Sequence, residues 1–398
     1  MKSKKRLSLY IHIPFCVQKC RYCDFFSAAA SAQEKHQYTE LLCREIRSWG
    51  RMLREKYSVY TIFIGGGTPT CLSAEQLHKI GAAIRESFDC DALTEFTTEA
   101  NPGTVMPEHL TVWQQMGINR VSLGLQSAQN RELQMLGRIH SYEEFLTTYQ
   151  MIRQSGMDQI NIDVMAAIPE QTLESYQDTL EKIVSLNPEH ISSYSLIIEP
   201  GTVFGDWEKN GTLKHVDEDV DRQMYEWTGK YLQHMGYQRY EISNYCRDGM
   251  ECRHNCVYWS GGEYLGLGVN ASSYLTGYRF HVPVSRKTYR SYVDRICVPA
   301  EKESEGLKKA VQEMDELEFI DQRAQMEEFM FLGLRMMAGV SEQEFYQRFG
   351  ISMMEVYGDI IKKYQNMDLL CRRDTGRVAL TEKGIDVSNS ILSDFLLN

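Results

Sequence analysis

No apolar run in the 398 residues approaches the roughly 18 needed for a membrane-spanning helix. Basic charge is in deficit: 43 Lys and Arg stand against 54 Asp and Glu, a net charge of −11. Phosphate binding needs a clustered basic surface, so nucleic acid is not expected as a partner. The one polybasic stretch, Lys2 to Arg6, reads as readily as a solvated tail as it does a lipid-binding segment. A secretory leader is not expected either, because the apolar run after Arg6 is short and no small-residue cleavage site follows it. The cysteines number 11, an odd count, and without export they predict free thiols in a reducing cytoplasm. Internal repeats and low-complexity tracts are missing too. The length suits a barrel-sized domain with one or two small appendages.

Against this plain background stands Tyr10 to Phe25, in which Cys16, Cys20 and Cys23 form C-x3-C-x2-C directly after a strand-like run. A mononuclear zinc site asks for a fourth Cys or His nearby, usually in a second pair, and none fits cleanly. Three thiolates on one tight loop suit a cubane [4Fe-4S] cluster that keeps one iron without a protein ligand, free to hold a substrate. The competing reading, buried structural thiols, sits poorly with Pro14, Lys19 and Arg21 alongside.

Short apolar runs then alternate with amphipathic segments: Leu7–Ile13, Tyr60–Ile64, Glu95–Glu99, Arg120–Gly124, Gln159–Met165 and His190–Ile197. Six strands with helices between them predict βα units around a parallel sheet. Helical periodicity covers Glu34–Glu55 and Ala74–Phe88, and Ser73 with Gln76 three residues on predicts a capping box. Polar motifs fall at the carboxyl ends of the strands, where such barrels gather their chemistry. They are Gly65-Gly66-Gly67-Thr68, Glu99-Ala100-Asn101, Gly124-Leu125-Gln126-Ser127 with Arg138 beyond, and Asn161-Ile162-Asp163. Consecutive glycines would free backbone N–H and C=O groups for a ligand's polar ends, such as an ammonium. This is no phosphate loop, since the Lys-Ser/Thr pair does not follow. Taken singly, each polar residue could be a satisfied interior group.

After residue 200 the pattern changes to an α+β region. An acidic helical stretch, Asp217–Met235, precedes Arg253-His254-Asn255-Cys256-Val257-Tyr258-Trp259. A His beside Asn and two aromatics could stack on a flat ligand and give its iron an axial nitrogen, or could be a hydrogen-bonded core histidine. Cys246, Cys252 and Cys256 read as ordinary thiols, with a second metal site as the lesser reading. Residues 300 to 321 predict a charged connector. Gln325–Met337, Ser341–Phe349, Met353–Gln365 and Val378–Leu380 predict a winged-helix-like module. From 301 onward 12 Lys and Arg face 19 Asp and Glu, so a lid or partner-docking role suits this module better than DNA binding. The division expected is 1–200, 201–299 and 300–398.

Together these motifs resemble radical S-adenosylmethionine (SAM) enzymes, specifically the HemN/HemW group, from about Leu7 through the tail. The resemblance implies a partial (βα)6 TIM-like barrel, an α+β region and a C-terminal HemN-type domain. It implies a [4Fe-4S] cluster on Cys16, Cys20 and Cys23, with SAM near Tyr10, Tyr22, Gly66, Gly67, Thr68, Glu99, Gln126, Arg138 and Asp163. Within the group, oxygen-independent coproporphyrinogen dehydrogenases carry a further cysteine where this chain has Phe25, and they do not have the H-N-x-x-Y-W element found here as His254, Asn255, Tyr258 and Trp259. Both features are similar to the haem-chaperone branch, which implies haem as cargo, His254 as candidate axial ligand and haem-requiring respiratory proteins as recipients. That branch leaves open whether SAM is turned over. If it is, an electron donor such as flavodoxin is implied; a homodimer, and membrane association through partners, also stay open. One departure stands out: the group usually places Gly before Leu-Pro after the Asp163 position, whereas this chain has Ala167 before Ile168-Pro169.

Overall fold

The structure, a computed structural model, describes residues 4–297, 310–312 and 314–397. All six apolar runs form strands: β1 (Lys5–Ile13), β2 (Tyr57–Gly66), β3 (Glu95–Ala100), β4 (Arg120–Gln126), β5 (Ile160–Ala166) and β6 (His190–Ser195). They pair in sequence order and in parallel. Helices α1 (Ala32–Leu53), α2 (Ala74–Ser87), α3 (Pro107–Met116), α4 (Asn130–Leu136), α5 (Tyr142–Gln154) and α6 (Leu173–Ser185) lie between them. Capping boxes start α1, α2, α5 and α6 at Ser31, Ser73, Ser141 and Thr172, satisfying N–H groups the first turn leaves without partners. Period-two alternation sorts each strand. On β1, Leu7, Leu9, Ile11 and Ile13 are fully buried in the main core, and Ser8, Tyr10 and His12 take the other face.

The six strands do not close on themselves; both edges are extended instead, which leaves neither of them open to unwanted pairing. Asn244–Cys246 runs antiparallel to β6, and Tyr264–Leu267 runs parallel to β1. Ser272–Leu275, Tyr278–His281 and Asp315–Phe319 continue outward on one side and Gln238–Arg239 beyond Asn244–Cys246 on the other, all antiparallel, making one sheet of 12 among the described residues. Residues 300–309 and 313 of the expected connector lie outside the described residues.

The C-terminal module begins with the helix Gln322–Gly333. Strand Val340–Ser341, helices Glu342–Phe349 and Met353–Asn366, and strands Leu370–Arg373 and Arg377–Leu380 follow, with the last strand central in an antiparallel sheet. This is the winged-helix order, built on its own core around Phe345, Tyr357 and Ile361. It docks on the middle region through Met337 N–H to Tyr240 O at 2.9 Å and the Arg222–Asp386 ion pair at 3.1 Å. Among the described residues no helix is long and apolar enough to cross a membrane.

Candidate functional site

The carboxyl ends of β1 to β6 open into a cavity of about 1050 Å³. Cys16, Cys20, Cys23, Tyr10, Tyr22, Gly66, Gly67, Glu99, Gln126, Arg138, Asp163, His254, Asn255 and Tyr258 all line it. Residues as far apart in the chain as Tyr10 and Tyr258 thus converge on one chamber. Two predicted residues do not line it: Thr68 lies behind the cysteine loop, and Trp259 faces elsewhere.

The cysteine loop is held by its backbone. Cys16 N–H donates to Ala28 O at 3.2 Å, Arg21 N–H to Leu136 O at 3.0 Å and Cys23 N–H to Cys20 O at 3.3 Å. Two donors reach its sulfurs: Thr68 Oγ1 to Cys16 at 3.5 Å and Arg138 Nη1 to Cys20 at 3.5 Å. Among the described residues no three His, Cys, Asp or Glu side chains converge closely enough to hold a single metal ion. A cubane, whose ligands each take a separate iron, does not require such convergence, and donors aimed at sulfur suit bound thiolates. The donor set therefore fits a [4Fe-4S] cluster. Cys246, Cys252 and Cys256 likewise do not converge on a single-metal site among the described residues, and burial pushes their thiols up to about 12.

The glycine run packs tightly beneath this loop. A Cβ on Gly67 would stand 2.6 Å from Phe15 O and 2.8 Å from Ile13 O, and one on Gly66 (φ +104°) would stand 2.3 Å from the His12 ring. Contrary to expectation, the N–H groups here are taken: Gly66 donates to Glu99 Oε2 at 3.0 Å, Gly67 to Ile13 O at 2.8 Å and Thr68 to Phe15 O at 2.7 Å. The glycines serve close approach rather than N–H donation to a ligand.

Arg138 is the hub of the site. Its Nη2 donates to Asn101 Oδ1 at 2.7 Å and to Gly124 O at 2.6 Å, and Asn101 Nδ2 donates in turn to Thr68 Oγ1 at 2.7 Å. Burial, and then the neighbouring Asp163 charge, push the Glu99 carboxyl up to about 7, against the pull of the Gly66 N–H. Burial likewise raises Asp163, opposed by hydrogen bonds from Asn161 and Ser192; Asn161 Nδ2 donates to Asp163 Oδ1 at 2.7 Å. Gln126 ends β4 at φ +75° beside a register shift, and its Oε1 accepts from Tyr194 O–H at 3.2 Å. Ala167, standing where the group places Gly, has φ +56°. The left-handed backbone is kept without the glycine that favours it.

The helix Arg253–Trp259 is anchored by Glu95, which accepts from the N–H groups of Arg253 and His254 at 2.7 and 3.0 Å. His254 is 1% exposed and stacks on Phe63 with ring centroids 5.2 Å apart. Both its ring nitrogens are engaged: Nδ1 with Thr61 Oγ1 and Nε2 with Tyr258 O–H, each at 2.8 Å. Burial, and then the Arg120 charge, push it down to about 3, so it is neutral. The expected lid role of the C-terminal module finds no support: no described residue beyond Ser272 lines the cavity. Sequence reasoning passed over His12, Arg120 and Tyr194, which also line it. The signal was the alternation of β1, β4 and β6, which puts them in phase with Tyr10, Ser122 and Ser192.

Comparison with known proteins agrees with this geometry. Residues 10–183 match the Radical SAM superfamily, and residues 320–387 the HemN C-terminal domain. The chain is 37% identical to the heme chaperone HemW of Lactococcus lactis, over 99% of this chain and 98% of that one. It is 35% identical to the heme chaperone HemW of Bacillus subtilis, over 98% and 99%. Among solved structures it is similar to the coproporphyrinogen III oxidase HemN of Escherichia coli, at TM-score 0.83 and 22% identity over 99% of this chain and 90% of that one, a likeness of fold. By identity across nearly its whole length, the chain belongs to the HemW family within the radical SAM superfamily.

Proposed function

We propose that the chain is a haem chaperone that holds a [4Fe-4S] cluster on Cys16, Cys20 and Cys23, binds SAM across the strand ends, and delivers haem to haem-requiring respiratory proteins of the cytoplasm or its membrane. The observation that carries this reading is near-full-length identity to relatives named heme chaperone HemW, joined to Phe25 where a fourth cysteine would stand and to the His254–Trp259 motif. When bound, the cluster supplies an open iron for the amino-acid end of SAM and, given a donor such as flavodoxin, one electron for its cleavage. Arg138 orients the strand-end network and donates to the Cys20 sulfur. Glu99 and Asp163 present acceptors for hydroxyl or ammonium groups of SAM, Gln126 adds an amide, and Tyr10 and Tyr22 wall the chamber. His254 is the candidate axial ligand, and ligation there requires Nε2 to leave Tyr258. The parts 1–200, 201–299 and 300–398 divide cluster and SAM binding, haem binding, and partner docking, with homodimerisation compatible.

The test is an anaerobic reconstitution of the full chain, followed by iron analysis and haem titration. Stoichiometric haem binding impaired in His254→Ala is the expected result, and unchanged affinity removes His254 as ligand. Incubation with coproporphyrinogen III, SAM and a reductant decides the rival reading: formation of protoporphyrinogen IX overturns the chaperone assignment.

A further inference from the structure

The helix Arg253–Trp259 stands between two chambers. His254, Asn255 and Tyr258 line the main cavity; Arg253, Cys256 and Trp259 line a separate groove of about 470 Å³ between the barrel and the C-terminal module. Its volume lies within the range of small-ligand sites. Its walls are largely apolar and aromatic, with Tyr60 and Trp259 on the barrel side and Phe329 and Met336 on the other. Part of the family's motif therefore points away from the cavity that holds the rest of it.

The charges of this groove are unbalanced. Its two carboxylates are occupied: Glu263 accepts from Thr276 N–H at 2.7 Å and lies 3.8 Å from Lys5 Nζ, and Glu344 lies 3.7 Å from Arg377. Two guanidiniums have no carboxylate partner among the described residues: Arg6, which lies 4.6 Å over the Tyr60 ring, and Arg253, whose backbone N–H donates to Glu95. The indole N–H of Trp259, beneath the Arg335 guanidinium at 4.6 Å, has no acceptor among the described residues. Two sulfurs face the same space from different sides, Cys256 on the helix and Met336 on the C-terminal module. Guanidiniums match carboxylates in a planar fork, aromatic walls match a flat apolar ring, and thiolate or thioether sulfur ligates haem iron.

Resting on the reading of this chain as a haem carrier, we propose that this groove is a second haem berth, with the propionates on Arg6 and Arg253 and the iron toward Cys256 or Met336. The berth does not use His254, whose nitrogens are already bonded, and it lies against the module assigned to partner docking. A single seven-residue helix would then sense cargo on one side and the SAM chamber on the other.

The experiment is haem titration of the full chain followed by Soret absorbance, in the parent, in His254→Ala, and in each background with Arg6→Gln plus Arg253→Gln or with Cys256→Ser plus Met336→Leu. Both arginines are exposed, so the substitutions leave the fold intact; circular dichroism checks this. The expected result is haem binding that persists in His254→Ala and weakens at least about ten-fold on loss of the two guanidiniums, with a shifted Soret band in the sulfur variant. Haem binding that is lost in His254→Ala, with unchanged affinity and spectrum in both groove variants, overturns the berth and leaves the chaperone reading standing. A parent chain that binds no haem overturns the chaperone reading, and the berth with it.

Discussion

Replacing Glu99 with Gln should make the protein more stable and its SAM binding weaker, with both effects governed by pH. Glu99 is fully buried and its carboxyl is raised from 4.5 to about 7 by burial and then by Asp163. A folded-state pKa above the unfolded one means that the folded chain favours the protonated acid. The contribution is full below pH 4.5 and is lost as pH rises toward about 7, above which the buried carboxylate costs roughly 3 kcal/mol, at about 1.4 kcal/mol for each pH unit. Gln keeps the volume and can still accept from Gly66 N–H, so Glu99→Gln should gain on the order of 2–3 kcal/mol at pH 8 and almost nothing at pH 4.5. Its loss shows in binding: a charge-assisted hydrogen bond contributes about 1.5–3 kcal/mol, so SAM affinity at pH 8 should fall about 10- to 150-fold. Denaturant unfolding at pH 4.5 and pH 8 reads the first effect, and calorimetric SAM titration at pH 8 the second. Parallel stability profiles for the two proteins would refute the argument for a raised carboxyl, and equal SAM affinity would remove Glu99 from the SAM site.

Gly67→Ala would push a methyl group into the carbonyls of Ile13 and Phe15; a loss of about 1–3 kcal/mol in thermal unfolding and lower iron content after reconstitution are expected. Arg138→Lys keeps the charge but cannot span Asn101 and Gly124 at 2.7 and 2.6 Å, so it should cost about 2 kcal/mol and weaken both cluster retention and SAM binding. Ala167→Gly relieves a left-handed backbone at φ +56° and should stabilise the fold by about 0.5–1 kcal/mol, read as a higher unfolding midpoint.

Local pattern and motif made much of this protein legible. The strands are found within a few residues because each carries a run of core-facing aliphatics in phase, as Leu7, Leu9, Ile11 and Ile13 do. The helix starts follow from side chains a few residues apart, such as Ser73 and Gln76, which bond within one turn. The cysteine triplet and the placement of polar motifs at strand ends needed only the chain order. Other features depended on long-range contacts. Glycine N–H groups expected to meet a ligand are spent on Ile13, Phe15 and Glu99 because the cysteine loop packs against them. The one motif His254–Trp259 is split between two chambers because a helix keeps residues four apart, His254 and Tyr258, on one face and turns the next, Trp259, onto another.

The sequence by itself carried the family resemblance, since three thiols at fixed spacing and six βα units are local properties, and through that resemblance it singled out Phe25 and His254 as candidates to separate a carrier from an oxidase. Tertiary structure alone decided their availability. Burial beside Asp163 makes Glu99 a carboxyl that titrates near 7, and contact with Thr61 and Tyr258 occupies both nitrogens of His254. The reason is that charge state and hydrogen-bond occupancy depend on what lies within a few ångströms, and in this fold those neighbours come from strands far apart in the chain.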